Sequence, residues 1–400
     1  ESREMLEGSI LIYAFADLRA LAREGVLSDD EQRMLKLPVD ASHVINVVNS
    51  NLQTLKNHAN FGDQTDFYLS ALTSLHQALR SQSVVDVQTG EAVYHFSQVV
   101  YFDDENSQNE LVYGIAVNSA RKRITVCFRG SVTKTDFMTD AKGFLTEIPN
   151  PVVSGAGIRQ SSTVSVHHGF RDYLFGSSRL KRGWNTEESK FDKITKQMLA
   201  LLEEHPDFKI YVTGHSLGGA LATLFAFETA ASVDPRIPKP VSCITIASPK
   251  VGGLTFRRAF QALERQGVMR CLRIANNKDL VTLLPDRGSL SCLYIMCCQS
   301  HVFRHVGIEL KLYKNGTYSL SRPTETTSYV GLFCKDWSKQ AMNGVGMVLT
   351  LPMMVAGQED FLNYHSCMEY LARLQKCSDK TRGLYLNKLY ESNANVKTTN

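Results

Sequence analysis

The spacing of apolar residues divides the chain into a helical first part and a mixed remainder. Residues 1–85 place apolar side chains three and four positions apart, as in ILIYAFADLRALAREG and SHVINVVNSNLQTLKNHAN, which predicts helices. From residue 91 the spacing becomes two, and segments such as AVYHFSQVVYF and ITVCFRGS are typical of strands. We therefore predict a helical N-terminal extension over residues 1–85, followed by a domain that starts with strands.

Strands and helices alternate through the middle of the chain. The predicted elements are a helix within 181–204, a strand at 209–212, a helix at 217–228, a strand at 240–249, a helix at 253–267 and a strand at 270–279. This alternation predicts an α/β domain, residues 86–378, with a mainly parallel central sheet and helices on its faces. Asn315-Gly316 predicts a hairpin at 308–322, and residues 379–400 are expected to form a polar C-terminal tail.

Charge and composition narrow the possible classes of function. The 44 basic and 40 acidic residues leave a net charge of +4 without a basic stripe, which argues against a nucleic-acid partner. The chain contains no run of 18 apolar residues, so no transmembrane helix is predicted. The nine cysteines have no regular spacing, which indicates no disulfide framework and favours an intracellular compartment. Because the chain starts at Glu1, we expect it to be a fragment or a mature form.

A strand that runs into a serine between glycines is the first candidate for chemistry. Gly214-His215-Ser216-Leu217-Gly218 is a G-x-S-x-G motif placed between a predicted strand and a predicted helix. So tight a turn moves the serine toward sparsely allowed backbone angles and leaves no room for side chains two residues away, hence the glycines. Such an elbow presents the Ser216 hydroxyl as a nucleophile. The alternative is a glycine-rich turn that only packs closely.

A serine nucleophile needs a base and a group that orients the base. In a parallel sheet these groups lie beyond the carboxyl ends of the strands. Asp279 is the aspartate after Ser216 that follows a strand within a few residues, although a loop aspartate also commonly makes a turn with its own backbone. His301, His305 and His365 are candidate bases, and the residues alone leave His305 and His365 open.

Several segments, in chain order, are similar to those of the class 3 lipases, the fungal triacylglycerol lipase family of the α/β-hydrolases. The segments that carry the resemblance, over roughly residues 90–375, are ITVCFRGS, VHHGF, VTGHSLGGALATL, NNKDLVTLLP, HVGIELKLY and YHSCMEYLARL. The resemblance implies an α/β-hydrolase fold with Ser216 as nucleophile, Asp279 as acid and His365, rather than His305, as base. It also implies an oxyanion hole formed by Ser131 and by the backbone N–H of Leu217, and no metal or organic cofactor.

The resemblance further implies hydrolysis of carboxylic esters of acylglycerols at a lipid interface, with peripheral contact to membranes or lipid droplets. Phospholipase A1 or galactolipase activity on membrane glycerolipids is the alternative, and a lipase-like scaffold without catalysis is a second one. Residues 132–145 match the family's lid, or form an ordinary surface helix. The apolar segment 343–357 is either a wall for the acyl chain or part of the core. The helical extension has no counterpart in the compact fungal enzymes.

Overall fold

A computed structural model gives the arrangement of the chain. It describes residues 1–39, 41–57, 84–85, 92–93, 97–104, 111–130, 144–152, 161–176, 188–285, 302–322, 363–381 and 385–391. Among these residues, no helix is both long and apolar enough to cross a bilayer. The predicted lid up to residue 143, the apolar segment 343–357, Ser131 and His301 lie outside the described residues.

Twelve strands occur in the described part of the chain. They are β1 (Val84–Val85), β2 (Ala92–Val93), β3 (Gln98–Asp103), β4 (Tyr113–Asn118), β5 (Arg123–Phe128), β6 (Leu145–Pro149), β7 (Thr163–His167), β8 (Lys209–His215), β9 (Val241–Ile246), β10 (Met269–Asn276), β11 (Ile308–Leu312) and β12 (Tyr318–Ser321). The strands that the sequence predicts around residues 209–212, 240–249 and 270–279 correspond to β8, β9 and β10.

The described residues also form eleven helices, of which four precede the strands, four lie between strands and three follow them. They are α1 (Ser2–Arg23), α2 (Asp29–Met34), α3 (Ala41–Ser50), α4 (Leu52–Asn57), α5 (His168–Phe175), α6 (Lys190–Glu204), α7 (Leu217–Ala231), α8 (Leu254–Arg265), α9 (Cys367–Lys376), α10 (Ser378–Thr381) and α11 (Leu386–Glu391). A 3₁₀ turn, Val281–Leu283, follows β10. Ser189 caps α6 by accepting the N–H of Asp192 at 3.1 Å, which satisfies one of the donors left free at a helix start.

Eight of the strands form one sheet in the order β12-β11-β10-β9-β8-β5-β4-β3. From β5 to β11 neighbouring strands are parallel, and antiparallel strands flank this part at both edges. The predicted α/β-hydrolase fold class, a mainly parallel central sheet with helices on both faces, is confirmed. The predicted hairpin is also present, since β11 and β12 pair antiparallel.

The two faces of the sheet are covered by different helices. Helices α6, α7 and α8 pack on one face, where they bury residues such as Val212 and Val126. On the other face α1, α3 and α9 form a second apolar cluster with residues such as Cys127 and Ile246. The α7 helix is buried nearly all round because it lies between the sheet and its neighbouring helices.

The ends of the chain take part in this packing. Helix α1, from the predicted extension, lies directly on the central strands β8, β5 and β9. At the other end, α11 falls within the predicted polar tail, yet it buries Leu386 and Leu389. The domain boundaries predicted from the sequence, 1–85, 86–378 and 379–400, remain predictions.

Candidate active site

Ser216 stands alone between the last residue of β8 and the first residue of α7. Its backbone angles are φ 58° and ψ −127°, a region that residues other than glycine rarely adopt. The surrounding structure holds it there, since the Ser216 N–H donates to the Ile246 carbonyl at 2.9 Å and its own carbonyl accepts the Gly219 N–H at 2.9 Å. The side chain is thereby fixed at the carboxyl edge of the parallel strands.

The flanking glycines are required by close approaches of the backbone. A Cβ atom on Gly214 would lie 2.3 Å from the carbonyl oxygen of Gly218. A Cβ atom on Gly218 would lie 2.2 Å from the carbonyl oxygen of Phe128, at the end of β5. Both distances are far inside van der Waals contact, so α7 could not start this close to the sheet with larger residues.

His365 connects the serine to an acid. Its Nε2 lies 2.8 Å from the Ser216 Oγ, and its Nδ1 lies 3.0 Å from Oδ2 of Asp279. His365 precedes α9, whose first turn is capped by Ser366 accepting the N–H of Glu369 at 3.2 Å. This cap fixes the start of α9 and therefore the backbone from which the imidazole projects.

Asp279 is buried just beyond the end of β10 and uses both of its oxygens. Oδ1 accepts the N–H of Val281 at 3.0 Å, which is the backbone turn expected of a loop aspartate. Oδ2 accepts the hydroxyl of Tyr370 at 2.6 Å in addition to facing His365. Burial, and then the nearby Asp279 carboxylate, raise the pKa of Tyr370 well above its ordinary value, so the phenol stays protonated and donates.

The two other histidines near the site have different positions. His215 is buried behind the elbow, where its Nε2 lies 2.9 Å from the carbonyl oxygen of His365. Burial, reinforced by the neighbouring His365, lowers the pKa of His215 to about 3, so this ring is neutral at ordinary pH. His305 lies against the loop that carries Asp279, with its Nε2 2.6 Å from the Thr282 carbonyl oxygen. Burial lowers the pKa of His305 as well.

The structure thus brings Ser216, His365 and Asp279 together and places His305 elsewhere. The backbone N–H of Leu217, the predicted second oxyanion donor, is at the first position of α7, where N–H groups have no acceptor within the helix. Ser131, the predicted first donor, lies outside the described residues, but Gly130 just before it is described, two residues past the end of β5. The predicted roles of five residues in catalysis remain predictions, namely those of Ser216, Asp279, His365, Ser131 and Leu217.

Two tyrosines of the site were not singled out from the sequence. Tyr370 lies on α9, five residues after His365 and inside the segment YHSCMEYLARL, which carries part of the family resemblance, so its spacing is an available signal. Tyr13 lies on α1, and its hydroxyl accepts the N–H of Gly130 at 2.9 Å. Nothing in the local pattern of α1 distinguishes Tyr13 from a tyrosine that only packs in the core.

No group of three or more histidine, cysteine, aspartate or glutamate side chains is placed to bind a metal within the ranges that the structure describes. The site instead contains one strained serine, one imidazole and one buried carboxylate in a hydrogen-bonded line. This arrangement can move a proton from a hydroxyl to an imidazole whose charge the carboxylate then balances, as in acyl transfer.

Comparison with known families agrees with this geometry. The sequence pattern of the family described as Lipase (class 3) matches residues 125–288, which include β5, the elbow and Asp279. The resemblance predicted from the motifs is therefore confirmed over this segment. The match ends before His365.

Curated relatives extend the similarity beyond that segment. Phospholipase A1-II 3 of Oryza sativa subsp. indica is 30% identical over 242 residues, which are 58% of this chain and 52% of the relative. The galactolipase DONGLE, chloroplastic, of Arabidopsis thaliana is 29% identical over 293 residues, 67% of this chain and 58% of the relative. This chain therefore spans about half the length of the curated relatives it matches.

Solved structures of fungal lipases also match. A triacylglycerol lipase from Penicillium expansum aligns with 64% of this chain and 84% of its own, at 21% identity and a TM-score of 0.40. The Rhizomucor miehei triacylglyceride lipase aligns with 65% of this chain and 82% of its own, at 20% identity and a TM-score of 0.43. The strand order of this chain is by itself sufficient to show a mainly parallel sheet.

Proposed function

We propose that this chain, which carries the sequence pattern of the class 3 lipase family over residues 125–288, hydrolyses carboxylic ester bonds of acylglycerols. The observation that carries the proposal is the line of hydrogen bonds from Asp279 through His365 to the Ser216 hydroxyl. Each member comes from a different loop at the carboxyl edge of the sheet, where ligands of parallel sheets bind. The order serine, aspartate, histidine along the chain is the order typical of α/β-hydrolases.

The first half of the proposed reaction forms an acyl-enzyme. His365 takes the proton of the Ser216 hydroxyl at Nε2 while the oxygen attacks the ester carbonyl carbon. Asp279 holds the ring through Nδ1 and balances the charge of the imidazolium. The tetrahedral oxyanion accepts the N–H of Leu217 and, by resemblance to the family, that of Ser131. The C–O bond to the glycerol oxygen then breaks, and His365 returns the proton to the leaving alcohol.

The second half releases the fatty acid. A water molecule gives a proton to His365 Nε2 and attacks the acyl carbon, passing through a second tetrahedral oxyanion at the same donors. Collapse of this intermediate breaks the bond to Ser216 Oγ, which recovers its proton from His365. The products are a carboxylic acid and the free enzyme, and the net reaction consumes one water for each ester bond.

Phospholipase A1 or galactolipase activity on membrane glycerolipids is the second candidate. The observation that favours it is the similarity to curated plant proteins named phospholipase A1 and galactolipase. The same three side chains would cleave an acyl ester in either substrate, because the reacting group is identical. The difference lies in contacts to the headgroup.

Rates on three lipid classes, compared between variants, test the chemistry and the substrate together. We would measure release of fatty acid from triolein, phosphatidylcholine and monogalactosyldiacylglycerol with the wild type, Ser216→Ala, His365→Ala and His305→Gln. Ser216→Ala and His365→Ala should each lower kcat by roughly 10⁴-fold or more, as in other serine hydrolases. His305→Gln keeps a side-chain donor for the Thr282 carbonyl and should retain most of the activity. The lipid that the wild type hydrolyses fastest decides between hydrolysis of acylglycerols and phospholipase A1 or galactolipase activity.

Other outcomes would contradict parts of the proposal. Loss of activity in His305→Gln together with full activity in His365→Ala would mean that His305, and not His365, is the base. A folded wild type that hydrolyses none of the three lipids, and whose Ser216 does not react with a fluorophosphonate, would favour the non-catalytic scaffold.

Contact with a lipid surface is part of the proposal. We expect peripheral binding to membranes or lipid droplets, and the intracellular compartment remains a prediction. Four of the relatives are named as chloroplastic. Co-sedimentation with phosphatidylcholine vesicles and co-flotation with triolein emulsions would measure this binding. The Ser216→Ala variant is the one to use, because it should not consume its substrate.

A further inference from the structure

One face of α1 lies along the end of β5 that leads to the predicted oxyanion hole. Polar residues occur every four positions on this face, at Ser9, Tyr13 and Asp17. The Cys127 thiol of β5 lies 3.8 Å from the Ser9 hydroxyl, and the Arg129 guanidinium lies 3.6 Å from the Asp17 carboxylate. Helix α1 is therefore joined by polar side-chain contacts to the residues that precede Ser131.

Tyr13 makes the contact nearest to the reaction centre. Its hydroxyl oxygen lies 2.9 Å from the N–H of Gly130, the residue before Ser131. The packing there is close, since a Cβ atom on Gly130 would lie 2.3 Å from the Tyr13 hydroxyl and 2.6 Å from the His215 carbonyl oxygen. Only glycine fits between the helix and the elbow, so the Tyr13 oxygen is in direct contact with the loop backbone.

The same hydroxyl also meets the histidine behind the elbow. The Tyr13 oxygen lies 3.4 Å from Nδ1 of His215, whose Nε2 faces the carbonyl oxygen of His365. A carbonyl oxygen only accepts, so Nε2 must carry the proton of the neutral ring. Nδ1 is then a bare acceptor, and the Tyr13 hydroxyl is the donor to it. All three hydrogen bonds thus have a fixed direction, from Gly130 to Tyr13, from Tyr13 to His215, and from His215 to His365.

We propose that Tyr13 of α1 is a positioning residue that fixes the oxyanion loop at Gly130 and, through His215, the backbone of the base His365. This inference rests on the proposed ester hydrolysis. It makes α1 a structural part of the reaction centre. Tyr13 contacts neither Ser216 Oγ nor His365 Nε2. Its effect is therefore on the geometry of the transition state, through the backbone of Gly130 on one side and that of His365 on the other.

Replacing the hydroxyl alone tests this role. Tyr13→Phe keeps the ring and leaves the Gly130 N–H and His215 Nδ1 without their partner. We expect kcat to fall about tenfold or more with KM changed by less than about threefold, because misplaced oxyanion donors weaken binding of the transition state more than of the substrate. The rate of Ser216 labelling by a fluorophosphonate should fall in parallel, because that reaction passes through a similar oxyanion.

Tyr211→Phe is the matched control. Tyr211 also lies where α1 meets β8, and its hydroxyl donates to the Glu1 carboxylate at 2.9 Å, away from the elbow. The Tyr211→Phe variant should therefore keep the kcat of the wild type. Equal kcat in Tyr13→Phe and wild type, or an equal fall in both tyrosine variants, would overturn the proposal. The double variant Tyr13→Phe/His215→Gln should lose less than the product of the two single losses, because both changes interrupt one chain of hydrogen bonds.

The hydrogen bonds can be measured without turnover. Nitrogen NMR of the wild type should show His215 neutral with its proton on Nε2, and the Gly130 amide should exchange slowly with solvent and faster in Tyr13→Phe. A proton on Nδ1 of His215, or rapid exchange at Gly130 in the wild type, would overturn the proposal even if Tyr13→Phe failed to fold. Failure of the proposed function is a separate result, namely a folded wild type that neither cleaves esters nor labels at Ser216.

Discussion

At the scale of single residues, Asp279 combines two roles that the sequence alone presents as alternatives. A loop aspartate commonly binds its own backbone, and Oδ1 does so through the N–H of Val281. Oδ2 accepts the hydroxyl of Tyr370, and His365 Nδ1 lies 3.0 Å from Oδ2 and 3.2 Å from Oδ1. The local turn therefore orients the carboxylate, and the structural role is what makes the proposed catalytic role possible.

Tyr370→Phe should lower the activity without unfolding the protein. The change removes the hydroxyl 2.6 Å from Asp279 Oδ2, so the carboxylate is held less firmly beneath His365. We expect kcat on the preferred ester to fall about tenfold, within the range for partners that orient a catalytic group. Steady-state kinetics and a thermal unfolding curve for the same preparation would check it.

Tyr390→Phe is the control for this prediction. Tyr370 and Tyr390 both accept a backbone N–H of β10 at 2.9 Å, from Asn276 and Cys271 respectively, but Tyr390 is at the strand's far end. Both variants should lose similar stability, and only Tyr370→Phe should lose activity. Unchanged kcat in Tyr370→Phe would mean that the turn at Val281 alone orients Asp279.

His215 should make the protein less stable in mild acid. Its pKa is about 3 in the folded protein, because of burial and then His365, against an ordinary value near 6.5 in the unfolded chain. Between these values the unfolded chain binds a proton that the folded chain does not. The free energy of unfolding therefore falls as pH decreases from about 6.5 toward 3, by up to about 1.4 kcal/mol per pH unit. Urea unfolding at pH 7, 6 and 5 would measure it.

His215→Gln is the comparison for this effect. The variant lacks the titrating group, so its stability should depend less steeply on pH over the same window, whatever its stability at pH 7. His305 contributes in the same direction in both proteins, because burial lowers its pKa too. Identical slopes for wild type and variant would show that His215 does not remain neutral when folded.

At the scale of elements, the sequence predicts well those features that depend on local geometry. The strand β8, the elbow and α7 follow from period, glycine spacing and helix propensity. The hairpin of β11 and β12 follows from Asn315-Gly316 in the same way. By contrast, β6 and β7 are short strands that pair outside the main sheet, and neither is among the strands predicted from the sequence. Contacts between distant segments, such as Tyr13 with Gly130, leave no local pattern.

The elbow should be far less tolerant of added atoms than α1. Gly218→Ala would place a Cβ 2.2 Å from the Phe128 carbonyl, and we expect a loss of at least about 3 kcal/mol in stability and loss of ester hydrolysis. Gly8→Ala is the matched change, since no atom lies within 4 Å of its Cβ in the middle of a helix. It should stabilise the protein by about 0.5–1 kcal/mol.

Denaturant unfolding and kcat of the two alanine variants would check this pair. A stable, active Gly218→Ala variant would mean that β5 and α7 move apart easily and that the elbow is not rigid. A destabilised Gly8→Ala variant would mean that α1 packs more closely at this position than the structure shows.

At the scale of the whole molecule, the chain is organised around a sheet that both ends of the sequence cover. The alternation of strands and helices was enough to predict the parallel sheet and its carboxyl edge, and so where to look for Asp279. It was not enough to choose between His305 and His365, because that choice depends on which loop returns to the elbow. Nor did it reveal that α1 packs against the reaction centre, since helical period predicts a face but not its partner.

Removal of residues 1–24 should abolish cooperative folding. Helix α1 buries eight large apolar side chains, namely Met5, Leu6, Ile10, Leu11, Ile12, Phe15, Leu18 and Leu21. At about 1.5–3 kcal/mol each, their burial contributes on the order of 10 kcal/mol or more, which is comparable with the whole stability of a typical protein. We expect the truncated protein to aggregate or to lose its sharp thermal transition.

Circular dichroism melts and gel filtration of the truncated and full chains would check this, with a chain that lacks residues 392–400 as the control. That control also shortens the protein but removes none of the residues that cover the sheet in the described structure. A soluble truncated protein with a sharp transition would show α1 to be a dispensable attachment.

The position of Tyr13 has a consequence for the ribosome-bound chain. Tyr13 and His215 are 202 residues apart, so α1 is synthesised long before β8, its main binding surface. At about 5–20 residues per second, roughly 10–40 s of translation separate them. During that interval α3 and β5 can already cover part of the apolar face of α1, whereas β8 and β9 are not yet available to cover the rest. The proposed catalytic triad can form only when the segment around His365 has emerged, so we expect a nascent chain that ends before His365 to show no ester hydrolysis.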